Sequence, residues 1–275
     1  MVADARHDAP IVLEGVCKRF GDLVVLDGID LAFPRGQTTA VIGPSGTGKS
    51  VLLKHIVGLI QPDAGSVRVF GTDMARAPVK EVYAVRRRVG MLFQDGALFD
   101  SLSVGENVAF PLARHRPDMN ARARRERVDE VLEMVELPGL YDRSVAALSG
   151  GQRKRVGLAR AIVDQPEVVL FDEPNSGLDP LTSAAIDALI VDMKRRLGIT
   201  FVVISHDIVG TVNVADRIAM LWQGKVIAEG TTAEVVRSPH EVVRRFLGRN
   251  LVLPSPSRPG AAGDDTFVAQ LPRIG

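Results

Sequence analysis

Three things are scarce in this sequence: cysteine, an excess of one charge, and long apolar runs. The 275 residues contain a single cysteine, Cys17, so an internal disulfide is excluded, and we expect Cys17 to be a small core residue. Lysine and arginine number 34 against 33 aspartates and glutamates, which leaves no overall field to attract nucleic acid or an anionic bilayer. Apolar runs such as residues 168–171 fall far short of the roughly 20 residues that a membrane-spanning helix needs.

The composition and the N-terminus are those of an ordinary folded chain. Hydrophobic residues make up 46% and charged residues 24%, which supplies enough apolar material for a core. Residues 1–10 are polar and contain no apolar region of the signal-peptide kind, so we expect no secretion signal. Any role at a membrane must then come through a partner protein.

The first third of the sequence has the pattern of strands around a glycine-rich loop. Apolar alternation over residues 11–16 and 26–33, with a Gly-Asp turn between them, predicts an antiparallel flap. A β-branched run at 38–42 meets the glycine-rich loop, and the helical pattern 51–59 follows it. Further strands are predicted at 66–70 and 89–93.

The rest of the sequence changes from helical periodicity to short buried strands. A pattern rich in Arg and Glu from about 98 to 162 predicts an inserted helical lobe. Strands separated by helices then follow, as in a doubly wound parallel sheet, at 168–171, 201–204 and 218–221. Residues 251–275 are rich in Pro and Gly and predict a flexible tail.

The glycine-rich loop after the strand 38–42 matches the phosphate-loop pattern. Its residues are Gly43, Pro44, Ser45, Gly46, Thr47, Gly48, Lys49 and Ser50. The glycines let the backbone wrap closely around phosphates, and the start of the next helix adds partial positive charge. We expect Lys49 to contact the β- and γ-phosphates of ATP and the Ser50 hydroxyl to hold Mg²⁺. A chance match in a glycine-rich turn is the alternative, and the flanking strand and helix argue against it.

A second segment also places backbone donors at the start of a helix. Its residues are Ser149, Gly150, Gly151 and Gln152, with Leu148 before them and Ser149 in the capping position. Two anion-binding helix ends would be redundant within one monomer. They make sense if the second closes on the nucleotide of another copy, so we predict a dimer with two ATP molecules at its interface.

Two carboxylates end the buried strand at 168–171, at the edge of the sheet where ligands bind. We expect Asp172 to hold Mg²⁺ and Glu173 to polarise the attacking water. His206, which follows the next strand, is predicted to lie near the γ-phosphate and to stabilise charge there together with Lys49. A strand that ends in two acids also occurs at a plain surface edge, and the phosphate loop earlier in the chain favours the catalytic interpretation.

These motifs, in this order, resemble the ATPase subunits of ATP-binding-cassette transporters over roughly residues 11–248. The resemblance implies an α/β P-loop NTPase (RecA-like) fold, with a parallel-sheet core, an antiparallel β flap and an inserted α-helical subdomain. It divides the chain into an N-terminal tail (1–10), an ATPase domain (11–248) and a C-terminal tail (249–275). Within the ATPase domain, the core takes about 11–95 and 165–248, and the helical subdomain takes about 96–164.

The same resemblance assigns roles to single residues. It implies that Phe20 stacks on adenine, that Gln94 binds Mg·ATP and links the metal to a transmembrane partner, and that Asp179 couples the two active sites of the dimer. A core aromatic is the alternative for Phe20. Asn175 stands where many family members have Thr, and we expect little effect of that exchange on hydrolysis.

The stretch that follows Gln94 is unusually apolar. Its side chains are predicted to form a groove for a partner's helix, with packing of the helical lobe as the alternative. They are Leu98, Phe99, Leu102, Val104, Phe110 and Leu112. Together with the phosphate loop, this stretch closely resembles the ATPases of Mla and Mce lipid-transport systems.

The lipid-transport resemblance implies partners and a place of action. We expect an integral-membrane permease, an MCE-domain lipid-binding protein and a STAS-domain subunit in one complex at the cytoplasmic face of the inner membrane, and no nucleic acid. Residues 267–274 of the tail are predicted to dock on the STAS subunit. The alternatives are an importer for a polar solute such as an amino acid or ion, a cassette of translation or DNA repair, and a non-catalytic binding module.

Overall fold

The computed structural model describes residues 8–94 and 96–248, which form two sheets flanked by helices. The strands are β1 (Ile11–Phe20), β2 (Leu23–Phe33), β3 (Thr38–Ile42), β4 (Ala64–Val69), β5 (Thr72–Asp73), β6 (Val89–Leu92), β7 (Val168–Asp172), β8 (Thr200–Ser205), β9 (Arg217–Trp222) and β10 (Lys225–Thr231). The helices are α1 (Lys49–Ile56), α2 (Val79–Arg86), α3 (Val104–His115), α4 (Ala121–Met134), α5 (Gly150–Ile162), α6 (Pro180–Leu197), α7 (Ile208–Val214), α8 (Thr232–Val236) and α9 (Glu241–Gly248). Within these ranges no helix is long and apolar enough to cross a membrane. The predicted tail, 249–275, with its docking segment 267–274, lies outside the described residues.

The larger sheet has six strands in the order β10-β9-β3-β8-β7-β6. All neighbours from β9 to β6 are parallel, and β10 pairs antiparallel with β9 at one edge. Every residue of β3 and β8 is buried, because helices or the second sheet cover both faces. The predicted parallel-sheet core is therefore confirmed, and the antiparallel edge strand is an addition that the sequence pattern did not indicate.

The smaller sheet, in the order β2-β1-β4-β5, is antiparallel and forms the predicted flap. The β1–β2 hairpin runs from Ile11 opposite Phe33 to Phe20 opposite Leu23, so both strands are longer than predicted. The extra residues are exposed at the tip (19–20 and 23–24) and half-buried behind it, and backbone pairing holds them there without the apolar alternation on which the prediction relied.

Cys17 lies in this hairpin and is half-buried, so the prediction of a core cysteine is wrong. The pairing of β1 with β2 shifts register between Val16 and Lys18, which breaks the strict alternation of buried and exposed side chains. The Cys17 sulfur instead lies 3.2 Å from the backbone nitrogen of Gly28, near the surface of the flap.

Helices α3, α4 and α5 lie in sequence between β6 and β7 and form the predicted helical insertion. The first of them begins with a capping box, in which the Ser103 hydroxyl accepts from the Glu106 N–H and the Glu106 carboxylate accepts from the Ser103 N–H. The three helices share one apolar cluster. Its members include Val104, Val108, Leu112, Val128, Val131, Leu132, Val156 and Ala159.

The two faces of the larger sheet pack against different layers. Along β7, Val168 and Leu170 face the cluster that contains the flap, whereas Val169 and Phe171 face the helical cluster. The Phe171 ring meets the Phe201 ring edge to face, with centroids 5.2 Å apart. Burying a phenylalanine stabilises a fold by about 1.5–3 kcal/mol, so the strands that end at the functional edge are firmly fixed.

Candidate nucleotide site

The carboxyl ends of three neighbouring parallel strands bring together the segments that the sequence analysis singled out. In the larger sheet β3 lies beside β8, and β8 lies beside β7. Ile42 pairs with Ser205, and Asp172 pairs with Ile204, so the three strands end at the same level. The phosphate loop and the residues after β7 and β8 therefore meet at one edge, which is where open parallel sheets bind ligands.

Two glycines of the phosphate loop stand where no side chain fits. A Cβ on Gly43 would lie 2.2 Å from the carbonyl oxygen of Leu221. Gly48 starts α1 with a left-handed φ of 95°, and a Cβ there would lie 2.9 Å from the Val25 side chain. Left-handed backbone is open to glycine without cost, so the loop keeps a bare backbone that a ligand can approach closely.

Lys49 reaches back across this loop from the first turn of α1. Its Nζ donates to the carbonyl oxygens of Gly43, at 2.8 Å, and Pro44, at 2.9 Å. The residue is 5% exposed, and burial lowers the pKa of Lys49 below its ordinary value, although the charges of Glu173 and Asp172 oppose that shift. An ammonium makes stronger hydrogen bonds to anionic oxygens than to neutral carbonyl oxygens. The Lys49 ammonium is therefore well positioned to bind a phosphate group.

Ser50 and Asp172 form an oxygen pair that suits a hard divalent cation. The Ser50 hydroxyl donates to Asp172 Oδ1 at 3.0 Å, across the gap between α1 and the end of β7. Burial raises the pKa of Asp172, with the charge of Glu173 adding to the shift and the Ser50 hydrogen bond opposing it. A half-buried carboxylate beside a hydroxyl offers the oxygen ligands that Mg²⁺ prefers, so the residues present fit the metal.

Glu173 and His206 meet at the same edge. Glu173 Oε1 lies 3.2 Å from His206 Nδ1, with the Glu173 side chain 19% exposed and that of His206 55% exposed. Glu173 has a left-handed φ of 51°, and its backbone N–H donates to Ile204 in β8 at 2.9 Å. Left-handed backbone is uncommon for a glutamate, so surrounding contacts hold this residue in place.

The Ser149–Gln152 segment starts α5 as predicted, with Ser149 as N-cap. The Ser149 hydroxyl accepts from the Gln152 N–H at 3.2 Å, and the Gln152 side chain accepts from the Ser149 N–H at 3.0 Å. This capping box uses two side chains within the chain and leaves Gly150 exposed. A Cβ on Gly151 would lie 2.5 Å from Thr182, so the starts of α5 and α6 are in close contact.

Asp179 is the N-cap of α6. Its carboxylate accepts from the hydroxyl of Thr182 and from the backbone N–H groups of Leu181 and Thr182. The Thr182 side-chain hydrogen bond is the largest of the contacts that lower the pKa of Asp179. The family resemblance predicts that Asp179 couples the two active sites of a dimer. Within the single chain, Asp179 caps α6 beside the exposed start of α5, and its role in a dimer stays a prediction.

Phe20 and Gln94 occupy different surroundings. Phe20 is 48% exposed at the end of β1, with the Lys18 ammonium 5.6 Å from its ring centroid, so the alternative of a core aromatic is wrong. Gln94 Nε2 lies 3.3 Å from Ser176 Oγ on the loop after β7. Stacking on adenine and binding of Mg²⁺ remain predictions for these two residues.

An apolar groove is present, but only two of the six side chains predicted to form it, Phe99 and Phe110, line its wall. Val104 and Leu112 are buried in the helical core, where the inward face of α3 packs on α4 and α5, so their assignment to the groove is wrong. Phe99 and Phe110 are each 42% exposed, with ring centroids 4.8 Å apart. They border a groove of about 430 Å³ whose wall also includes Met91, Phe93, Pro111 and Arg160.

Lys154 is a residue of this region that sequence reasoning missed. It is 5% exposed on α5, and its ammonium donates to the backbone carbonyls of Gln94 and, at 3.4 Å, Glu173. The signal was present: Lys154 stands in the buried stripe of α5, between Gly151 and Leu158, where an apolar residue is expected. It connects the helical insertion with two loops of the sheet.

Taken together, the loop, the buried lysine and the Ser50–Asp172 pair fit a nucleotide phosphate accompanied by Mg²⁺, which makes the protein a P-loop nucleotide hydrolase in class. Comparison with known proteins narrows this class. Residues 26–176 match the family model described as ABC transporter, and the chain belongs to that family. It binds ATP with Mg²⁺ and hydrolyses ATP.

Individual relatives cover most of the chain. It is 39% identical over 242 residues to the probable ribonucleotide transport ATP-binding protein mkl of Mycobacterium leprae, covering 88% of this chain and 70% of that protein. It is 38% identical over 248 residues to the methionine import ATP-binding protein MetN of Geobacillus kaustophilus, covering 89% and 72%. A dimeric ATP-binding cassette, solved in a post-hydrolysis state with ADP and phosphate, superposes with a TM-score of 0.74 at 33% identity, covering 81% of this chain and 98% of that one.

Proposed function

We propose that this chain, the ATP-binding subunit of an ABC transporter, drives lipid transport by working as a pair on a membrane permease. Residues 11–248 act as one motor, in which the sheet (about 11–95 and 165–248) holds the nucleotide and the helical insertion (about 96–164) moves with the partner. The observation that carries the catalytic part is the placing of the Ser50–Asp172 and Glu173–His206 pairs at one sheet edge beside Lys49.

At this edge each side chain has a separate task. When ATP binds, the Lys49 ammonium gives up its hydrogen bonds to the two loop carbonyls and donates to phosphate oxygens instead. Its buried positive charge is then paired with an anion. Ser50 and Asp172 would hold Mg²⁺, which would neutralise charge on the phosphates. Glu173 orients the attacking water and accepts its proton, and His206, 3.2 Å away, holds the Glu173 carboxylate and stabilises charge at the γ-phosphate.

The second copy completes the site. The start of α5 is exposed at Gly150, and its capping box already satisfies donors within the chain, so its remaining backbone N–H groups are available to an anion from outside. We place ATP between the phosphate loop of one copy and Ser149–Gln152 of the other, with Asp179 at the interface and Phe20 against the adenine. The solved cassette at 33% identity is dimeric and bound to ADP and phosphate, which supports a paired form of this chain.

The groove beside Phe99 and Phe110 is where we place the permease. The wall of the groove is mostly apolar. Arg160 is part of this wall, and its guanidinium donates to the carbonyl oxygens of Gly96, at 2.6 Å, and Ala97, at 2.8 Å. An exposed apolar groove of this size suits the apolar face of a short helix. Lys154 links it to the catalytic loop, because one ammonium contacts the carbonyls of both Gln94 and Glu173.

Lipid as the cargo is supported by the similarity of the phosphate loop and of residues 93–112 to Mla and Mce ATPases. On this proposal the chain acts at the cytoplasmic face of an inner membrane, with a permease, an MCE-domain protein and a STAS-domain subunit. Import of a polar solute is the second candidate, and the relatives described as methionine and sulfate/thiosulfate importers favour it.

The test is a mild-detergent purification of the tagged chain from its native membranes, with mass spectrometry of proteins and lipids. Recovery of a permease with an MCE-domain protein and enriched phospholipid supports the proposal. Recovery of a permease with a solute-binding protein contradicts lipid transport and leaves the ATPase mechanism standing. The Phe110→Ala variant should recover less permease than the wild type, whereas Leu59→Ala, at a leucine that is 60% exposed outside the groove, should not.

A further inference from the structure

A polar pair ties the catalytic loop to a helix behind it. Asn175 lies two residues after Glu173, and its Nδ2 donates to Asp187 Oδ1 on α6 at 2.8 Å in a partly buried position. Residues 173–176 also form a turn, because the Ser176 N–H donates to the Glu173 carbonyl at 3.1 Å. Asn175 therefore fixes the segment that carries Glu173 against α6.

The same pair faces the segment that carries His206. Asp207 follows that histidine and starts α7, accepting from the N–H groups of Val209 at 3.1 Å and Gly210 at 3.3 Å. A Cβ on Gly210 would lie 2.6 Å from Asp187 Oδ2, 2.7 Å from Asp207 Oδ2 and 3.3 Å from Asn175 Nδ2. Three polar groups from three segments thus converge on a glycine that leaves them room.

This convergence is electrostatically unfavourable. Burial raises the pKa of Asp187, and the charge of Asp207 adds to the shift, while the Asn175 hydrogen bond opposes it. An apolar contact would join the loop, α6 and α7 without bringing two carboxylates together. Buried polar groups lower the stability of the fold. Where such groups lie next to reacting groups, they typically contribute to function.

We infer that Asn175 and Asp187 are positioning residues, which hold the Glu173 loop and the start of α7 in the relative placement that sets the 3.2 Å contact between Glu173 and His206. The inference rests on the catalytic roles proposed for those two residues. It explains how Glu173 keeps a left-handed backbone, since the loop after it is anchored at Asn175 and its own N–H is bound by β8.

The predicted effect falls on turnover and spares nucleotide binding. In Asn175→Leu the loop loses its anchor, and a displacement of about 1 Å at a reacting group can lower a rate by about 100-fold, so we expect kcat to fall at least about tenfold. The affinity for ATP should stay within about twofold, because Lys49 and the phosphate loop belong to another segment. Asn175→Thr, which keeps a donor for Asp187, should recover most of the lost kcat.

A double variant separates positioning from stability. Asn175→Leu alone leaves a half-buried carboxylate without its donor and should lower the melting temperature, whereas Asn175→Leu with Asp187→Leu replaces both partners and should recover it. If the pair positions the catalytic groups, kcat stays low in the double variant. If kcat returns to the wild-type value together with the melting temperature, the pair is only structural and the inference is overturned.

The experiment measures ATPase rate and ATP affinity of the full chain, below the lowest melting temperature of the set. The matched control is Asp192→Leu, the same exchange at a partly exposed position on α6 away from the catalytic loop, which should not change kcat. Glu173→Gln is measured alongside. If Glu173→Gln retains hydrolysis, the proposed catalytic role fails. If Glu173→Gln is inactive while the double variant turns over at the wild-type rate, only the positioning inference fails.

Discussion

The starts of α1 and α5 are two helix ends with similar sequence features and different surroundings. Each follows glycine or serine, and each offers backbone donors to an anion. At the start of α1, Lys49 is buried and Asp172 lies opposite at 3.0 Å from Ser50. At the start of α5, Ser149 and Gln152 cap each other and Gly150 is exposed.

On the proposed function, this difference divides the work between two molecules. The first helix end has the buried Lys49 cation, and the Ser50–Asp172 pair and Glu173 lie beside it, so we assign the chemistry of hydrolysis to this end. The second helix end has backbone donors on a surface, so we assign it to a nucleotide that another chain presents. A site built in two halves lets ATP join the halves before hydrolysis and lets hydrolysis separate them.

The largest expected effect comes from removing the base at the first helix end. Glu173→Gln keeps the shape of the side chain and cannot accept a proton, so ATPase turnover should fall at least about 100-fold while ATP affinity is kept. Gel filtration with ATP should then show an accumulated dimer. Glu133→Gln, at an exposed position on α4, is the control and should be as active as the wild type. Retained hydrolysis in Glu173→Gln would remove this residue from the role proposed for it.

The next effect comes from placing a negative charge at the second helix end. In Gly150→Asp the new Cβ has room, since the nearest atom would be in the Leu178 side chain at 3.5 Å, and a carboxylate at a helix start favours the helix itself. The charge should nevertheless repel the partner's ATP and lower turnover about 100-fold, with ATP binding to the single chain unchanged.

Mixing Gly150→Asp with Lys49→Ala chains sharpens this test. At an ATP concentration that saturates the wild type but lies below the weakened affinity of Lys49→Ala, each variant alone should hydrolyse little ATP. A mixed dimer contains one site with an intact phosphate loop from the first variant and an intact α5 start from the second, so hydrolysis should return. Failure of any mixture to hydrolyse ATP, with both chains folded, would argue against the two-chain site.

A smaller and different effect is expected from Lys49→Ala by itself. Charged hydrogen bonds contribute about 1.5–3 kcal/mol, so ATP affinity should weaken by about 10- to 100-fold. Fluorescence titration with an ATP analogue measures this. Lys80→Ala, an exposed lysine on α2, serves as control and should bind as the wild type does. Equal affinities for the two variants would show that the cation at the first helix end does not meet the phosphates.

The sequence predicts those features of the two helix ends that depend on neighbouring residues in the chain. The strand 38–42 was predicted with its observed bounds. A β-branched run bounded by a turn and a glycine-rich loop favours a strand whatever the rest of the chain does. The helix after it begins at Lys49 and ends at Ile56, earlier at both ends than predicted, since Gly58 turns the chain at a φ of 66°. The presence of a helix after each of the two glycine-containing motifs was also predictable, although the first residue of α1 was not.

Features that depend on several distant segments were not predictable. The contact of Lys154 with Gln94 and Glu173, and that of Asn175 with Asp187, join residues far apart in sequence. For the groove, sequence shows that residues near Phe99 are apolar but not which side of α3 faces the core. Val104 and Leu112 were misassigned for that reason.

The smallest effect tests the cost of building the first helix end. Burial raises the pKa of Asp172, so this carboxyl stabilises the ligand-free fold below the ordinary aspartate pKa and that contribution is lost as pH rises through the raised value. At neutral pH the charged carboxylate therefore costs stability, and Asp172→Asn should raise the melting temperature by about 2 °C. The gain should shrink as pH falls through the raised pKa of Asp172 and vanish well below about pH 4, where the carboxyl is protonated in both the folded and the unfolded state. With Mg·ATP present the order should reverse, because only the wild type gains the metal contact. Asp192→Asn, at a partly exposed position on α6 where the carboxylate pairs with Arg196, should not raise the melting temperature and should not respond to Mg·ATP in scanning calorimetry. A lower melting temperature for Asp172→Asn without ligand would mean that the carboxylate stabilises the fold, and that the first helix end carries no folding cost for its chemistry.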